Sequence, residues 1–377
     1  MKVGVIKLGA RISFDSLGTS GGTGETISII KMLALGGAEV VAFTKIIKNE
    51  SQNPMDNVSV VPILDWYRES NNMGLDALLV LNGNVNFFGG AEDAHQIANY
   101  HIINNFKGKV FYVYCDPSLT LKQLWPAIEK KEWGGKYKRE DIEITRTDII
   151  YISQPYDTDA VMNDVLTGKN EIKPAKAVHY PFEQFPCLHP QSKFNDSPSV
   201  DLSYGGTMRG GKREKKMVKY YFDYPADISV EMFGKITKDD FKKKSIDGIT
   251  TFPEFTGPVN YGDMHRKMND ALAHVVIGDV LYEEINDMAQ RCYESIWSMN
   301  VVFIDADLDA VRRIYKNDPV LTEFLYVTSK EEVIDRIRLL KADPELRKSI
   351  IADQLKAVGF DAKKYCTGLV DLVKANS

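Results

Sequence analysis

The sequence is poor in the residues that cross-link small secreted proteins and build metal sites. Only four of its 377 residues are cysteine, and they lie far apart with no Cys-x-x-Cys pair. This spacing argues against a disulfide framework and fits a reducing cytoplasm. The six histidines show no His-Glu-x-x-His or comparable ligand spacing, so no structural zinc site is expected. We therefore predict a protein without an obligatory metal or other cofactor.

Long apolar runs and a large charge of one sign are also missing. No run reaches the roughly 18 apolar residues of a membrane span, and Met1 leads directly into a predicted strand rather than a signal peptide. The formal net charge of −5 argues against a protein that coats polyanions with its whole surface. Basic residues cluster at 130–139, 212–219 and 242–244, and such clusters usually lie on the solvated surface. Gathered in one cleft, they would suit a phosphate backbone.

The length and the apolar pattern predict two α/β domains. At 377 residues the chain exceeds one ordinary domain, and 44% hydrophobic and 26% charged residues are typical of globular proteins. Short β-branched runs alternate with stretches of helical periodicity, as in parallel α/β units. The pattern becomes less regular at the proline-rich residues 177–198 and then restarts. We expect two Rossmann-like, doubly wound parallel sheets facing a central cleft, with a linker at 177–198.

The predicted elements follow from the same pattern. Strands are expected at residues 3–8, 39–43, 77–81, 109–114, 148–152, 200–204, 227–233, 274–277 and 301–304. Helices are expected at 25–35, 92–105, 213–222, 288–299, 330–341 and 345–358, with a final helix to about 375. Ligands of such sheets bind beyond the carboxyl ends of the strands, so two sheets can bind two substrates.

A glycine-rich turn between a predicted strand and a predicted helix is the most informative local feature. Residues 204–214 read YGGTMRGGKRE. Such a turn lets backbone N–H groups face an anion at the positive end of the helix dipole, and Arg209 and Arg213 add planar groups that suit phosphate oxygens. The segment nearly matches a P-loop, but Arg213 stands where Ser or Thr would hold Mg²⁺, which discounts nucleotide hydrolysis. We expect a diphosphate site; the alternative is a basic, solvated helix start.

One helix of the second half carries another pair of candidate ligands. Arg291 and Glu294 lie three residues apart on one predicted helix face, offset by about 4.5 Å along the axis. The arginine can bind a phosphate while the carboxylate accepts ribose hydroxyls, which suits a nucleoside diphosphate. An ordinary intrahelical ion pair is the alternative.

Asp116 is the candidate general base of the first half. It follows closely on the predicted strand 109–114, where catalytic groups of open sheets tend to lie. It can act as a base if burial raises its pKa above the usual value of about 3.9. A helix cap or a turn is the commoner role of a single aspartate at a strand end.

Three further motifs are less specific. Residues 86–90 (NFFGG) combine two aromatics with two glycines, as in a wedge or a stacking platform, although both rings can also be core. Residues 18–25 are rich in glycine and precede a helix, so they form either a loop facing phosphate or sugar or a plain connection. Asp305-x-Asp307 is similar to a metal-binding motif found in some sugar transferases, and we interpret it as a turn.

Together these motifs resemble the DNA beta-glucosyltransferase family of T-even bacteriophages. The resemblance is carried, in order along the chain, by residues 86–90, Asp116, 204–214, FTG at 255–257, IGD at 277–279, and Arg291-x-x-Glu294. It implies transfer of glucose from UDP-glucose to 5-hydroxymethylcytosine in double-stranded DNA. Carried over to this chain, it implies that Asp116 is the catalytic base and that Asn86 and Phe88 enter the duplex where the target base is flipped. The implied donor-binding residues are Glu25, Gly206, Arg209, Arg213, Val259, Asp279, Tyr282, Arg291 and Glu294.

The resemblance also implies the organisation of the protein and its setting. The fold would be of the GT-B type, with residues 1–181 and 360–377 forming the acceptor domain and residues 182–359 the UDP-sugar domain. A divalent cation, Mg²⁺ or Mn²⁺, would be accessory at the diphosphate. We expect a monomer acting in the cytoplasm of a phage-infected bacterium, with no membrane partner.

Two departures from the family pattern leave other functions open. The loop before Glu25 is longer and richer in glycine, and the stretch between Asp279 and Arg291 is slightly longer and less polar in places. Both lie near the expected sugar pocket, so a pentose donor such as UDP-arabinose is an alternative to glucose. A UDP-sugar transferase with a non-DNA acceptor and a non-catalytic DNA-binding protein also stay open. A dinucleotide oxidoreductase is disfavoured because the glycine spacing fails.

Overall fold

The chain folds into two compact units. The computed structural model of the protein describes residues 1–8, 21–44, 55–69, 73–81, 91–115, 121, 123, 125, 129, 136–163, 172–207, 212–243, 249–260, 263–315 and 317–377. The first unit consists of Met1–Phe182 with Asp361–Ser377, and the second of Glu183–Phe360. A short 3-10 helix, Phe182–Leu188, begins where the chain passes from the first unit to the second.

The first unit is built on a parallel sheet. Among the described residues seven strands lie in the order β3-β2-β1-β4-β5-β6-β7, and each neighbouring pair is parallel. β4 is buried along its whole length, as expected for a sheet covered on both faces. The strands are β1 (Lys2–Lys7), β2 (Glu39–Thr44), β3 (Val58–Pro62), β4 (Ala77–Leu81), β5 (Lys109–Tyr114), β6 (Ile150–Ser153) and β7 (Lys176–His179).

The last helix of the chain belongs to the first unit. The hydroxyl of Tyr365 donates to the carbonyl of Pro181 at 2.8 Å, and the hydroxyl of Tyr180 donates to the carbonyl of Tyr365. Gly36 lies against this helix so closely that a side chain there would collide with the backbone of Cys366. The described helices of the unit are Gly21–Leu35, Asp65–Arg68, Ala91–Asn105, Arg139–Ile142, Thr158–Met162 and Ala362–Asn376.

The second unit repeats the same topology. Its described residues form a six-stranded parallel sheet in the order β10-β9-β8-β11-β12-β13. The prediction of two doubly wound α/β sheets is therefore confirmed. The strands are β8 (Val200–Thr207), β9 (Val230–Lys235), β10 (Glu254–Gly257), β11 (Ala271–Val276), β12 (Val301–Asp305) and β13 (Tyr326–Val327).

Side-chain caps mark several helix starts of the second unit. Asp318 and Asp343 each accept backbone N–H bonds at a helix start that carries proline in its first turn, and Ser329 accepts one at the start between them. The described helices are Lys212–Tyr221, Lys238–Lys243, Met264–Asn269, Val280–Glu284, Gln290–Trp297, Pro319–Leu325, Lys330–Ala342 and Pro344–Val358. None of the helices in the described part of either unit is both long and apolar enough to cross a membrane.

Four strands were missing from the prediction, and all four are the outer strands of their sheets. β3, β7 and β10 are only partly buried and β13 has two residues, so none shows the continuous apolar run of a central strand. The prediction of a linker at 177–198 was wrong at its start, because 177–179 belong to β7. The 3-10 helix occupies more of that segment.

Two glycine-rich segments extend regular elements rather than interrupt them. The first helix begins at Gly21, so residues 21–24 of the predicted loop are helical. Gly205 and Gly206 lie within β8, where Gly206 pairs with Gly234 of β9. Gly234 has a φ of +119°, and a side chain there would collide with the Gly206 carbonyl. This pairing needs glycine for close approach of the strands.

Candidate active site

The carboxyl edge of the second sheet collects most of the predicted donor-binding residues. β8 and β11 are neighbours where the strand order reverses, and open α/β sheets bind ligands at such points. Gly206 lies at the end of β8, and Asp279 follows β11. The helices Lys212–Tyr221 and Val280–Glu284 begin after these strands, so their first turns lie at the same edge.

Arg213 lies at this edge in the first turn of its helix. Its guanidinium carbon is 5.8 Å from the ring centroid of Tyr282, within the range of a cation–π contact. The Nε of Arg213 is buried and makes no hydrogen bond within the described residues. A buried donor without a partner is costly, so this atom is suited to an anionic ligand. The nearby residue Arg209 lies outside the described residues, and its expected role stays a prediction.

Asp279 has a structural task at this edge. Its Oδ1 accepts the backbone N–H groups of Leu281 and Tyr282 at 3.1 and 3.4 Å and thereby caps the helix Val280–Glu284. This cap holds Tyr282 beside Arg213. The expectation that Asp279 faces a sugar stays a prediction.

Arg291 and Glu294 form a close ion pair on the helix Gln290–Trp297. The Arg291 Nη1 lies 2.8 Å from a carboxylate oxygen of Glu294, and their side chains are 22% and 5% exposed. The ordinary intrahelical pair considered from the sequence is therefore present. Both side chains can still bind a ligand, because a guanidinium has five N–H donors and a carboxylate accepts several hydrogen bonds.

One buried and one partly buried histidine, His274 and His265, lie in the electrostatic field of Arg291. Burial, with a contribution from the positive charge of Arg291, lowers the pKa of His265 to about 4 and the pKa of His274 to about 3. Both rings are therefore neutral at neutral pH. Neither residue was assigned a role from the sequence, because a single histidine does not reveal which residues pack against it in the fold.

Val259 lines a surface pocket of about 400 Å³ beyond the end of β10. One wall is fixed by Lys267, whose ammonium lies 2.5 Å from a carboxylate oxygen of the buried Glu231. Thr256 donates to the same oxygen at 2.5 Å. The pocket is lined by Pro258, Val259, Asn260, Asp263, Arg266, Lys267 and Asp270.

The first unit brings a lysine and a carboxylate together at the carboxyl edge of its sheet. Lys7 ends β1 and is only 9% exposed. Burial lowers the pKa of the Lys7 ammonium, while the negative charge of Glu25 acts in the opposite direction. Lys7 was missed in the sequence because it looks like the polar end of an apolar strand. Asp116, Asn86 and Phe88 lie outside the described residues.

The site offers cations and hydrogen-bond donors rather than a metal cage. In the part of the chain that the structure describes, no group of three or more His, Cys, Asp or Glu side chains could hold a metal ion. Arg213 and Arg291 instead supply guanidinium groups, which suit phosphate oxygens. Such an edge can bind a nucleoside diphosphate and stabilise negative charge that grows on it as a leaving group.

Comparisons with known proteins show which enzymes the chain resembles. The family model described as Bacteriophage T4 beta-glucosyltransferase matches residues 1–185. The DNA beta-glucosyltransferase of Enterobacteria phage T4 is 29% identical over 362 residues, covering 94% of this chain and 93% of the relative. The solved structure of T4 phage BGT with UDP and Mn²⁺ is similar with a TM-score of 0.79 and 26% identity, covering 100% of both chains. That of T4 phage BGT with its UDP-glucose substrate has a TM-score of 0.78 and 26% identity, covering 100% of this chain and 99% of that chain.

A more distant similarity bears on the fold alone. A solved structure of a Thermobaculum terrenum O-GlcNAc transferase mutant has a TM-score of 0.56 and 11% identity, covering 100% of this chain and 67% of that chain. The predicted GT-B fold type is confirmed by these structures. The chain is thus similar over almost its whole length to the DNA beta-glucosyltransferase of phage T4, and it is a glycosyltransferase.

Proposed function

We propose that this chain transfers glucose from UDP-glucose to the hydroxymethyl group of 5-hydroxymethylcytosine in double-stranded DNA. The relative from phage T4 is named a DNA beta-glucosyltransferase, and T4 phage BGT has been solved with UDP-glucose as its substrate. The observation that carries the proposal is the buried Arg213 Nε, which makes no hydrogen bond within the described residues at the edge where UDP is expected. The first unit binds the DNA and supplies the base, and the second binds the donor.

The donor-binding roles follow the chemistry of the side chains. Arg213 and Arg291, together with Arg209, neutralise the diphosphate, and Gly206 lets the backbone approach it. Glu294 accepts the ribose hydroxyls, and the backbone near Val259 meets the uracil. Glu25, Asp279 and Tyr282 contribute to the sugar side of the site.

The reaction is a single displacement with inversion. The hydroxymethyl oxygen attacks the anomeric carbon of glucose, Asp116 accepts the proton of that hydroxyl, and the bond from the anomeric carbon to the β-phosphate oxygen breaks. UDP leaves with the bonding electrons, and the arginines stabilise its growing charge. The α-linkage of UDP-glucose becomes a β-linkage in the product, which agrees with the name of the T4 relative.

The acceptor base must leave the duplex before it can react. Extruding a base costs a few kcal/mol, and a side chain that fills the gap offsets part of this cost. We assign this task to Phe88, with Asn86 beside it in the loop that enters the duplex.

A divalent cation is accessory in this proposal. T4 phage BGT has been solved with UDP and Mn²⁺, so a metal ion can accompany the diphosphate in this family. In this chain the arginines carry the charge, and an ion would be held mainly by the diphosphate itself. We further propose that the protein acts as a monomer in the cytoplasm of an infected bacterium.

A donor panel tests the function directly. The protein is incubated with duplex DNA containing 5-hydroxymethylcytosine and with UDP-glucose, UDP-arabinose or UDP-galactose, and the nucleosides are analysed by mass spectrometry. We expect glucosylated hydroxymethylcytosine, and no product on matched DNA that contains cytosine. If the pentose product were formed in preference to the glucose product, the donor would be UDP-arabinose rather than UDP-glucose. UDP-sugar turnover without any DNA product would show a different acceptor.

A further inference from the structure

A lysine of the second unit gathers three carboxylates around its ammonium group. Lys216 forms ion pairs with Glu283 and Asp305 and lies 3.7 Å from a carboxylate oxygen of Asp307. Its side chain is 13% exposed, and that of Asp305 is 1% exposed. Tyr220 donates its hydroxyl to the other carboxylate oxygen of Asp305 at 2.8 Å. The Asp305-x-Asp307 motif thus faces a cation that the chain itself supplies.

The charge of this lysine is maintained by its partners. Burial by itself lowers the pKa of Lys216, but the hydrogen bonds that its ammonium donates to Asp305 and Glu283, together with the negative charges of these carboxylates, raise the pKa above the ordinary value. The two partners come from elements 67 and 89 residues away in the chain. Removing one member of a buried ion pair leaves an uncompensated charge, so such contacts hold their elements firmly in place.

The helix Val280–Glu284 depends on this contact for its position. It has five residues, far fewer than the roughly 12 to 15 that an isolated helix needs to be even marginally stable in water. Two side chains anchor it: Asp279 caps its beginning, and Lys216 pairs with Glu283 near its end. Tyr282 lies between these two anchors.

The same two helices meet a second time at the donor site. Arg213 and Lys216 lie three residues apart and therefore on one helix face. Arg213 contacts Tyr282, and Lys216 pairs with the adjacent Glu283. The ion pair and the cation–π contact are therefore two links between the same elements, and loosening the first shifts the second.

We propose that Lys216 is a positioning residue of the donor site, which fixes the helix Val280–Glu284 through Glu283 so that Tyr282 keeps its place beside Arg213. Lys216 acts through this helix and not on the substrate. The inference rests on the proposed UDP-sugar binding, and it adds a residue that sets the geometry of the diphosphate and sugar end of the site.

The chain offers a closely matched pair of variants for the test. Glu283→Gln removes the charge that pairs with Lys216 and keeps the shape of the side chain. Glu284→Gln makes the same chemical change one residue further on, at an exposed glutamate that forms no ion pair among the described residues. Binding of UMP and UDP-glucose is measured by calorimetry, and kcat and KM are measured with hydroxymethylcytosine DNA.

The expected results separate positioning from a general structural effect. We expect Glu283→Gln to raise the Kd and KM for UDP-glucose on the order of tenfold, since small misplacements of positioning groups cost up to about 10²-fold. UMP binding should stay within twofold of the wild type, because UMP lacks the β-phosphate and the glucose of UDP-glucose. Glu284→Gln should leave all values unchanged. Equal behaviour of the two variants, or an equal loss of UMP and UDP-glucose binding, would overturn the proposal.

A second variant tests the lysine itself. Lys216→Met keeps the length of the side chain and removes its charge, and circular dichroism shows whether it folds. If it folds, its KM for UDP-glucose should rise at least as much as that of Glu283→Gln, and an unchanged KM would contradict the inference. If it does not fold, the Glu283→Gln variant alone tests whether Lys216 has a positioning role. Wild-type protein that binds no UDP-glucose would overturn the proposed function and this inference with it, whereas a normal wild type with an unaffected Glu283→Gln would overturn this inference alone.

Discussion

Acid should destabilise the second unit through the buried imidazole of His274. This side chain lies on β11 with a relative exposure of 1%, and its Nδ1 is 2.6 Å from the carbonyl oxygen of Ser203 on β8. Its Nε2 is buried without a hydrogen-bond partner among the described residues. A proton on Nε2 would place an unpaired charge in the core, near the positive Arg291. Burial is the main cause that lowers the pKa of His274 from 6.5 to about 3, and Arg291 adds to it.

The magnitude follows from the difference between the folded and unfolded pKa values. Above pH 6.5 the imidazole is neutral in both states, so the stability is fully present. Below pH 6.5 the unfolded chain binds a proton that the folded chain excludes until about pH 3, and stability falls by about 1.4 kcal/mol per pH unit. At pH 5 the expected loss from His274 alone is therefore about 2 kcal/mol.

Hydrogen exchange measured by mass spectrometry reports this loss locally. Free energies of opening are compared at pH 7 and pH 5 for the peptide that contains β11, after correction for the intrinsic exchange rate. The peptide that contains β4, in the first unit, serves as the internal reference. The matched variant His274→Asn keeps an N–H donor near Ser203 but cannot titrate. We expect the wild type to lose about 2 kcal/mol more than the variant between the two pH values. A difference below about 0.5 kcal/mol would refute the reasoning, because it would mean that the folded state accepts the proton at little cost.

The remaining predictions concern the reaction and one backbone contact. Asp116→Asn should lower kcat by about 10²–10⁴-fold with UDP binding retained, as measured by steady-state kinetics and calorimetry; activity near the wild-type value would remove Asp116 from the role of base. Arg291→Ala should weaken binding of both UDP and UDP-glucose, and unchanged calorimetric titrations would contradict its donor role. Phe88→Ala should slow turnover on duplex DNA more than on a duplex with an abasic site opposite the target base, and equal slowing would rule out a gap-filling role. Gly234→Ala should destabilise the second unit by about 1–3 kcal/mol in urea unfolding, because a positive φ and the Gly206 carbonyl both oppose a side chain; an unchanged midpoint would show that the strands can move apart.

The central strands and long helices could be predicted because buried elements have a recognisable pattern of apolar residues in the local sequence. β4 and β11 are buried on both faces, so their residues are apolar throughout β4 and, apart from His274, throughout β11, and these runs can be recognised without knowledge of the neighbouring strands. The outer strands could not be found this way. β7 and β10 keep exposed residues because only one side pairs with a neighbouring strand, and their existence depends on that neighbour.

The candidate site was predictable in the same limited sense. Arg213, Arg291 and Glu294 carry recognisable chemistry at suitable spacing, and the family resemblance assigned them to one ligand. The sequence did not show that Tyr282 lies against Arg213, or that Lys216 pairs with Glu283 and Asp305. These contacts join segments separated by 67 residues or more.

The sequence by itself determined the α/β class, the two sheets and the type of ligand group at each strand end, because these depend on apolar periodicity and side-chain chemistry within a few neighbouring residues. Only the tertiary structure decided which of those groups meet. Parallel strands bring together the ends of segments that are far apart in the chain, and burial there turns ordinary residues such as Lys216 and His274 into groups whose charge state depends on their surroundings.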